Sequence, residues 1–179
     1  MSRIAPIPAD SPAMQSQAPL EAKGAKGMHA LGTILHNQAL YDAWRPLARY
    51  LNSSSCITWR ERELLILRTA WLCRSDYEWG NHVLVARKAG LTDTEISAIR
   101  HDAGSAVWNH REALIIRVPD ELLRDARLSD KTYAALAQAY DDAQIIEILM
   151  LVGHYVMIGY LLNSAHTEND EGVLGLEYP

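Results

Sequence analysis

The sequence predicts an all-α fold, and three observations carry that reading. Ser/Thr-x-x-Glu capping boxes stand at the heads of apolar stretches, those stretches run to helical length, and no segment alternates apolar and polar residues with a strand's period. A helix near 28–36 opens the ordered part. A second covers about 38–51, where Pro46 demands a kink or a new start. Asn52-Ser53-Ser54-Ser55 is a loop. Thr58 with Glu61 caps the next helix, whose apolar run is almost continuous from Arg60 to Arg74. Ser75 with Glu78 forms a second box, and its helix stops at Gly90, a residue suited to the left-handed conformation just past a helix end. Thr92 with Glu95 opens a short helix to about Asp102. Helices follow near 108–124, bent or ended by Pro119, and near 130–140. The last, about 142–164, is nearly all apolar.

The chain has 179 residues, 49% of them hydrophobic, enough for one domain with its own core. Residues 1–27, with Pro6, Pro8, Pro12 and Pro19, read as an extended arm; 28–165 form the helical domain, and 166–179 a tail. A net charge of −5 without any basic block argues against nucleic-acid binding. Cys56 and Cys73 are too few for a disulfide scaffold and point to a reducing compartment. The N-terminus lacks the apolar core of a signal peptide, and the run Ile148 to Leu162 is shorter than the roughly 20 residues that span a bilayer. The expectation is a cytoplasmic protein with no membrane or nucleic-acid partner.

Trp59-Arg-Glu-Arg-Glu63-Leu-Leu-Ile-Leu-Arg68 is echoed by Trp108-Asn-His-Arg-Glu112-Ala-Leu-Ile-Ile-Arg117. Duplication of a helical unit and chance recurrence both account for it.

Chemistry concentrates around the first copy. Glu78 and His82 are four apart and share a helix face with Val85, Ala86 and Ala89. Glu63 lies in line with Ile66, Leu67 and Ala70. If the two helices form a short-loop antiparallel pair, the three polar groups meet in apolar surroundings, where they must bond to one another and shift each other's pKa. Each also has a structural reading: Glu78 as a capping residue, His82 as a core histidine, Glu63 as a partner of Arg68 or Arg74. The two arginines could instead clamp an anionic substrate. Trp71, Tyr77, Trp79 and Tyr155 either wall a pocket or fill the core. His154 is a second candidate base or a structural residue. Glu-x₃-His occurs once, whereas metal-holding bundles repeat Glu-x-x-His on paired helices, so no metal and no other cofactor is expected.

Arg62-Glu63-Leu-Leu-Ile-Leu-Arg68, Tyr77-Glu78-Trp79-Gly-Asn-His82, then Ala86, Ala89-Gly90-Leu91-Thr92 and Glu95-Ile96, together resemble the carboxymuconolactone decarboxylase family, related to alkylhydroperoxidase D. The resemblance covers about 28–165. It implies an all-helical bundle assembled into trimers or larger rings such as hexamers, and a proton relay of Glu63, His82 and the position of Glu78. The Cys-x-x-Cys of the peroxidase branch would fall on Ser75 and Glu78, neither of which is a thiol. The implied activity is therefore cofactor-free acid/base catalysis, decarboxylase-, lyase- or isomerase-like, on a small carboxylated or cyclic carbonyl compound. His82 would be the acid/base, oriented by Glu63 or Glu78. The alternatives are a divergent alkylhydroperoxidase-like, peroxiredoxin-like protein using Cys73, and a non-catalytic oligomeric binding module. Surplus apolar surface, with Trp44, Trp59 and Trp108, points to a homo-oligomer in which arm and tail wrap a neighbour.

Overall fold

The computed structural model describes residues 1–16, 28–53, 55–101 and 103–177, and every regular element among them is helical. In chain order these are α1 (Pro12–Gln15), α2 (Met28–Ile34), α3 (Gln38–Ser53), α4 (Trp59–Leu72), α5 (Asp76–Lys88), α6 (Asp93–Ile99), α7 (His110–Asp125), α8 (Asp130–Ala139) and α9 (Asp142–Ala165). The fold is organised around α4, which packs against α5, α7 and α9. Leu64, Leu65, Ile66 and Leu67 are all fully buried, so this helix is apolar around its whole circumference and can only sit inside.

Capping chemistry fixes most helix starts. Thr58 with Glu61 and Thr92 with Glu95 form reciprocal boxes, and Asn109 with Glu112 and Asp141 with Gln144 add two that the sequence reading did not single out. The expected box at Ser75 does not form. Ser75 is the N-cap of α5, but its side chain makes no capping bond, and Glu78 turns elsewhere. Gly90 follows α5 at φ 88°, as its position past a C-terminus requires. Pro46 and Pro119 lie inside α3 and α7 and end neither; around Pro119, buried Ile115, Ile116 and Val118 hold the helix through the missing hydrogen bond.

The echoed helices α4 and α7 pack directly together, and their capped ends exchange ion pairs. Arg60 Nε donates to Glu112 at 2.7 Å, while Arg111 Nε donates to Glu61. Thr58, Arg60 and Glu61 thus pair off with Asn109, Arg111 and Glu112, which relates the helices two residues out of register with the Trp59/Trp108 match. Glu61 also accepts from Tyr140 Oη at 2.7 Å. Burial alone would raise its pKa, but the bonds from Tyr140, Arg111 and Thr58 outweigh that and hold it below the usual carboxylate value.

The described part of the N-terminal arm is packed rather than extended. Arg3 and Ile7 donate backbone hydrogen bonds to Ala165 and Gly32, and Met14 on α1 is buried with Ile34, Leu35 and Ile158. Residues 17–27 of the arm lie outside the described residues. The tail likewise folds onto its own chain. Asp170 accepts from the His29 amide at 3.0 Å and from Tyr77 Oη at 2.6 Å, and the Leu176 amide donates to Asp76. Gly80 permits this approach, since a Cβ there would lie 2.7 Å from the Leu174 carbonyl oxygen. At 24 residues α9 is longer than its apolar run and reaches bilayer-spanning length, yet 56% of its apolar window is buried inside the fold, the signature of a core helix.

Glu61 is the point where the two echoed helices and the α4 cap meet. Glu61→Ala strands Arg111, Tyr140 and the Thr58 amide, and is expected to cost about 2–4 kcal/mol, or roughly 5–10 °C in Tm by thermal denaturation. Its depressed pKa means that this contribution is present above the unfolded carboxylate value. The wild-type advantage over the variant is therefore expected to shrink as pH falls through the folded value.

Candidate active site

Two helices joined by a tight reversal build the site. The chain turns at Cys73 and Arg74, with Arg74 in the left-handed conformation at φ 51°, so that α5 returns antiparallel along α4. Glu63 on α4 is completely buried and comes within 2.7 Å of His82 Nδ1 on α5. Its second carboxylate oxygen accepts from Arg62 Nε at 3.2 Å. On the opposite edge of the imidazole, Glu78 Oε2 stands 3.5 Å from Nε2. One histidine is thus held between two buried carboxylates. With Glu63 accepting a hydrogen bond at Nδ1, Nε2 is the nitrogen that faces Glu78.

Burial opposes charge on His82, but the hydrogen-bonded charge of Glu63, helped by Glu78, overcomes it and raises the imidazole above its ordinary pKa. Burial also pushes the Glu78 carboxyl up, and the neighbouring charge of Glu63 adds to this against the pull of His82. Both groups on the Glu78–His82 edge therefore hold a proton more tightly than they would in water.

This edge opens on a cavity of about 480 Å³. Leu31, Ile34, Leu84, Val85 and Ile158 give it apolar walls, with Lys88 as the one Lys or Arg among the described residues that line it. Tyr155 lies edge-on to His82 at 5.0 Å between centroids, and its hydroxyl donates to Asn52 Oδ1 at 3.0 Å. His154 and Trp44 complete that wall as parallel rings 5.8 Å apart.

Of the residues singled out in the sequence, Glu63, Glu78, His82, Tyr77, Tyr155 and His154 are brought together. Glu78, Tyr77, His82 and Tyr155 line the cavity, and Glu63 backs it. The others are elsewhere. Arg68 is spent on Asp120, at 2.6 Å, and the Ile99 carbonyl, so it does not reach a substrate in this cavity. Arg74 serves the backbone reversal with its side chain exposed. Trp79 is fully buried and Trp71 leans on it at 5.5 Å; together they carry the Arg100 guanidinium, which donates to the Leu176 carbonyl. Both indoles belong to the core and the tail anchor. Sequence reasoning missed Trp44, Asn52 and Asn81. Tyr41, Trp44, Ala48 and Leu51 form a helically spaced apolar stripe, the signal that could have drawn attention to α3.

Neither thiol lines the cavity. Burial raises the pKa of Cys73, whose carbonyl accepts from Asn163. Cys56 donates to Glu147, and burial together with that carboxylate pushes its thiol up to about 11. Among the described residues, no group of three or more His, Cys, Asp and Glu is arranged to hold a metal ion.

Residues 38–121 match the sequence profile of the carboxymuconolactone decarboxylase family. No curated protein matches the chain significantly. Among solved structures, a peroxidase-related protein from Silicibacter sp. TM1040 is 15% identical with a TM-score of 0.80, covering 93% of this chain and 91% of that one. The debrominase Bmp8, as a Cys-to-Ala variant in complex with 2,3,4-tribromopyrrole, is 14% identical at TM-score 0.78, with 94% and 91% covered. A protein of unknown function from Agrobacterium tumefaciens, suggested to be the antioxidant defence protein AhpD, is 19% identical at TM-score 0.70, with 76% and 94% covered. The resemblance read from the sequence is thereby upheld, and the fold is AhpD-like.

Titration of the His82 ring nitrogens by NMR is expected to give a midpoint above the ordinary 6.5, falling in Glu63→Gln. The folded imidazole holds its proton more tightly than the unfolded one. Its stabilising contribution is therefore complete below the unfolded value and lost as pH rises through the folded one. A wild-type midpoint at or below 6.5 would contradict the geometry.

Proposed function

We propose that this protein is a cofactor-free acid/base enzyme, lyase- or isomerase-like, acting on a small cyclic carbonyl compound, with a carboxylated one as the form the family resemblance suggests. The observation that supports it most directly is the Glu63–His82–Glu78 arrangement at the edge of an otherwise apolar cavity. Glu63 fixes the ring orientation and stabilises the imidazolium. His82 Nε2 then delivers a proton to, or takes one from, the carbon beside the substrate carbonyl. Glu78 exchanges that proton with Nε2. The dry walls strengthen each of these interactions and favour the enolate-like transition state, whose charge is spread into the carbonyl, over a ground state with localised charge.

A thiol-dependent peroxidase reading has less support. The positions that resemblance assigns to the two sulfurs hold Ser75 and Glu78, and Cys73 lies away from the cavity with a raised pKa. We further propose that the chain is a homo-oligomer, a trimer or hexamer. Its exposed apolar residues run along one side of α9, as Ile146, Met150, Met157 and Tyr160, and recur on α3 as Leu40, Leu47 and Tyr50. Light scattering after size exclusion is expected to give such an assembly, and a monomer would remove this part of the proposal.

The chemistry can be read without knowing the physiological substrate. Incubated in D₂O with a panel of small cyclic ketones and lactones, the wild type is expected to accelerate exchange of the proton next to the carbonyl, followed by NMR. His82→Gln should lower that rate by about 10²–10⁴-fold, whereas Cys73→Ser should leave it unchanged. Equal rates in wild type and His82→Gln, or loss in Cys73→Ser, would overturn the assignment.

A further inference from the structure

The wall facing the relay carries polar atoms that the protein leaves unused. Trp44 Nε1 and His154 Nδ1 are buried, and neither has a hydrogen-bond partner among the described residues. His154 is 5% exposed, lines the cavity, and stacks on the Trp44 indole with 3° between ring planes. A buried polar atom left unpaired is costly, and these two belong to rings that line one cavity wall, where a ligand can supply what the protein does not.

The charge arrangement restricts that ligand. Among the described residues no guanidinium lines the cavity, and Lys88 at its edge is exposed. The positive charge of His82 is already answered by Glu63 at 2.7 Å, and Glu78 faces the same space. Beside His82, an entering carboxylate would meet Glu63 and Glu78, with Lys88 standing at the exposed side of the cavity. Burial, aided by the nearby charge of His82, lowers the His154 pKa to about 4, so that ring is neutral and offers one nitrogen as donor and one as acceptor.

We propose that the cavity selects an uncharged planar ring bearing a carbonyl, with Trp44 and His154 as the residues that read its polar edge and Trp44 Nε1 donating to the carbonyl oxygen. This rests on the acid/base reading above and narrows it, giving preference to proton relocation on a neutral ring over loss of a carboxylate.

Benzamide and benzoate share shape and differ in charge, so calorimetric titration at pH 7.5 separates the possibilities. Wild-type protein is expected to bind benzamide at least about ten-fold more tightly than benzoate. Trp44→Phe and His154→Phe keep the stacked rings and remove the nitrogens, and each should weaken benzamide about 5–10-fold, the usual worth of one neutral hydrogen bond. Proton exchange measured in parallel on His82→Gln reports the relay, and benzamide affinity of the two ring variants reports the reader, so a failure of either is seen separately. Benzoate binding as tightly as benzamide, no benzamide binding, or unchanged affinity in both ring variants would overturn the proposal.

Discussion

A carboxylate with no solvent exposure at all, set in the middle of an apolar helix, is a condition the rest of this fold must meet. Glu63 cannot be ionised there without a partner held at bonding distance, because the cost of an unpaired buried charge exceeds the stability of most domains. His82 supplies that partner. Its placement needs α5 to return alongside α4 at a fixed rotation, and this in turn needs a reversal so short that Arg74 adopts a left-handed backbone. The strain at Arg74, about 1–2 kcal/mol for such a residue, is small beside what the Glu63–His82 contact avoids.

The same helix bears three further buried polar groups, two of which bond to other elements. Glu61 reaches Arg111 and Tyr140, Arg68 reaches Asp120 and Ile99, and Thr69 bonds back to Leu65. Apolar packing around a helix buried on all sides leaves its rotation weakly defined, since one leucine packs much like another. Directional bonds from α4 remove that freedom. They fix which side of the helix meets α5, and therefore where Glu63 points.

Much of this was legible in the sequence, and the failures share one cause. Thr58 and Thr92 announced their helices because a capping box is local chemistry, complete within four residues. Gly90 did so for the same reason. Glu78 satisfied the same local pattern, yet it stands beside His82 and makes no box with Ser75, because the return of α5 along α4 sets its surroundings rather than its neighbours in sequence. For Arg68, Arg74, Trp71 and Trp79 the sequence showed chemistry suited to a site but not which way each points around its helix. Around α5, Tyr77, Glu78, Asn81 and His82 look into the cavity while Trp79, Val83 and Ala86 enter the core. Trp44 and Asn52 join the site from a helix distant in sequence, and no spacing rule connects them to His82.

The cavity's walls come from α2, α3, α5 and α9, elements joined at the site by few direct contacts, so what holds them together also shapes the site. Two tyrosines do this. Tyr155 bonds to Asn52 near the end of α3, and Tyr77 bonds to Asp170 of the tail while accepting from the Ala30 amide at the start of α2. Burial raises the pKa of both phenols, so they remain neutral donors at any pH at which the fold survives. Each presents its ring to the cavity and its hydroxyl to the scaffold. A phenylalanine could fill the same space but would leave α2 and α3 untied, and the chain contains no phenylalanine at all. At these two positions wall and anchor are the same side chain, so a change that loosened the anchor would also reshape the surface presented to whatever lies beside His82.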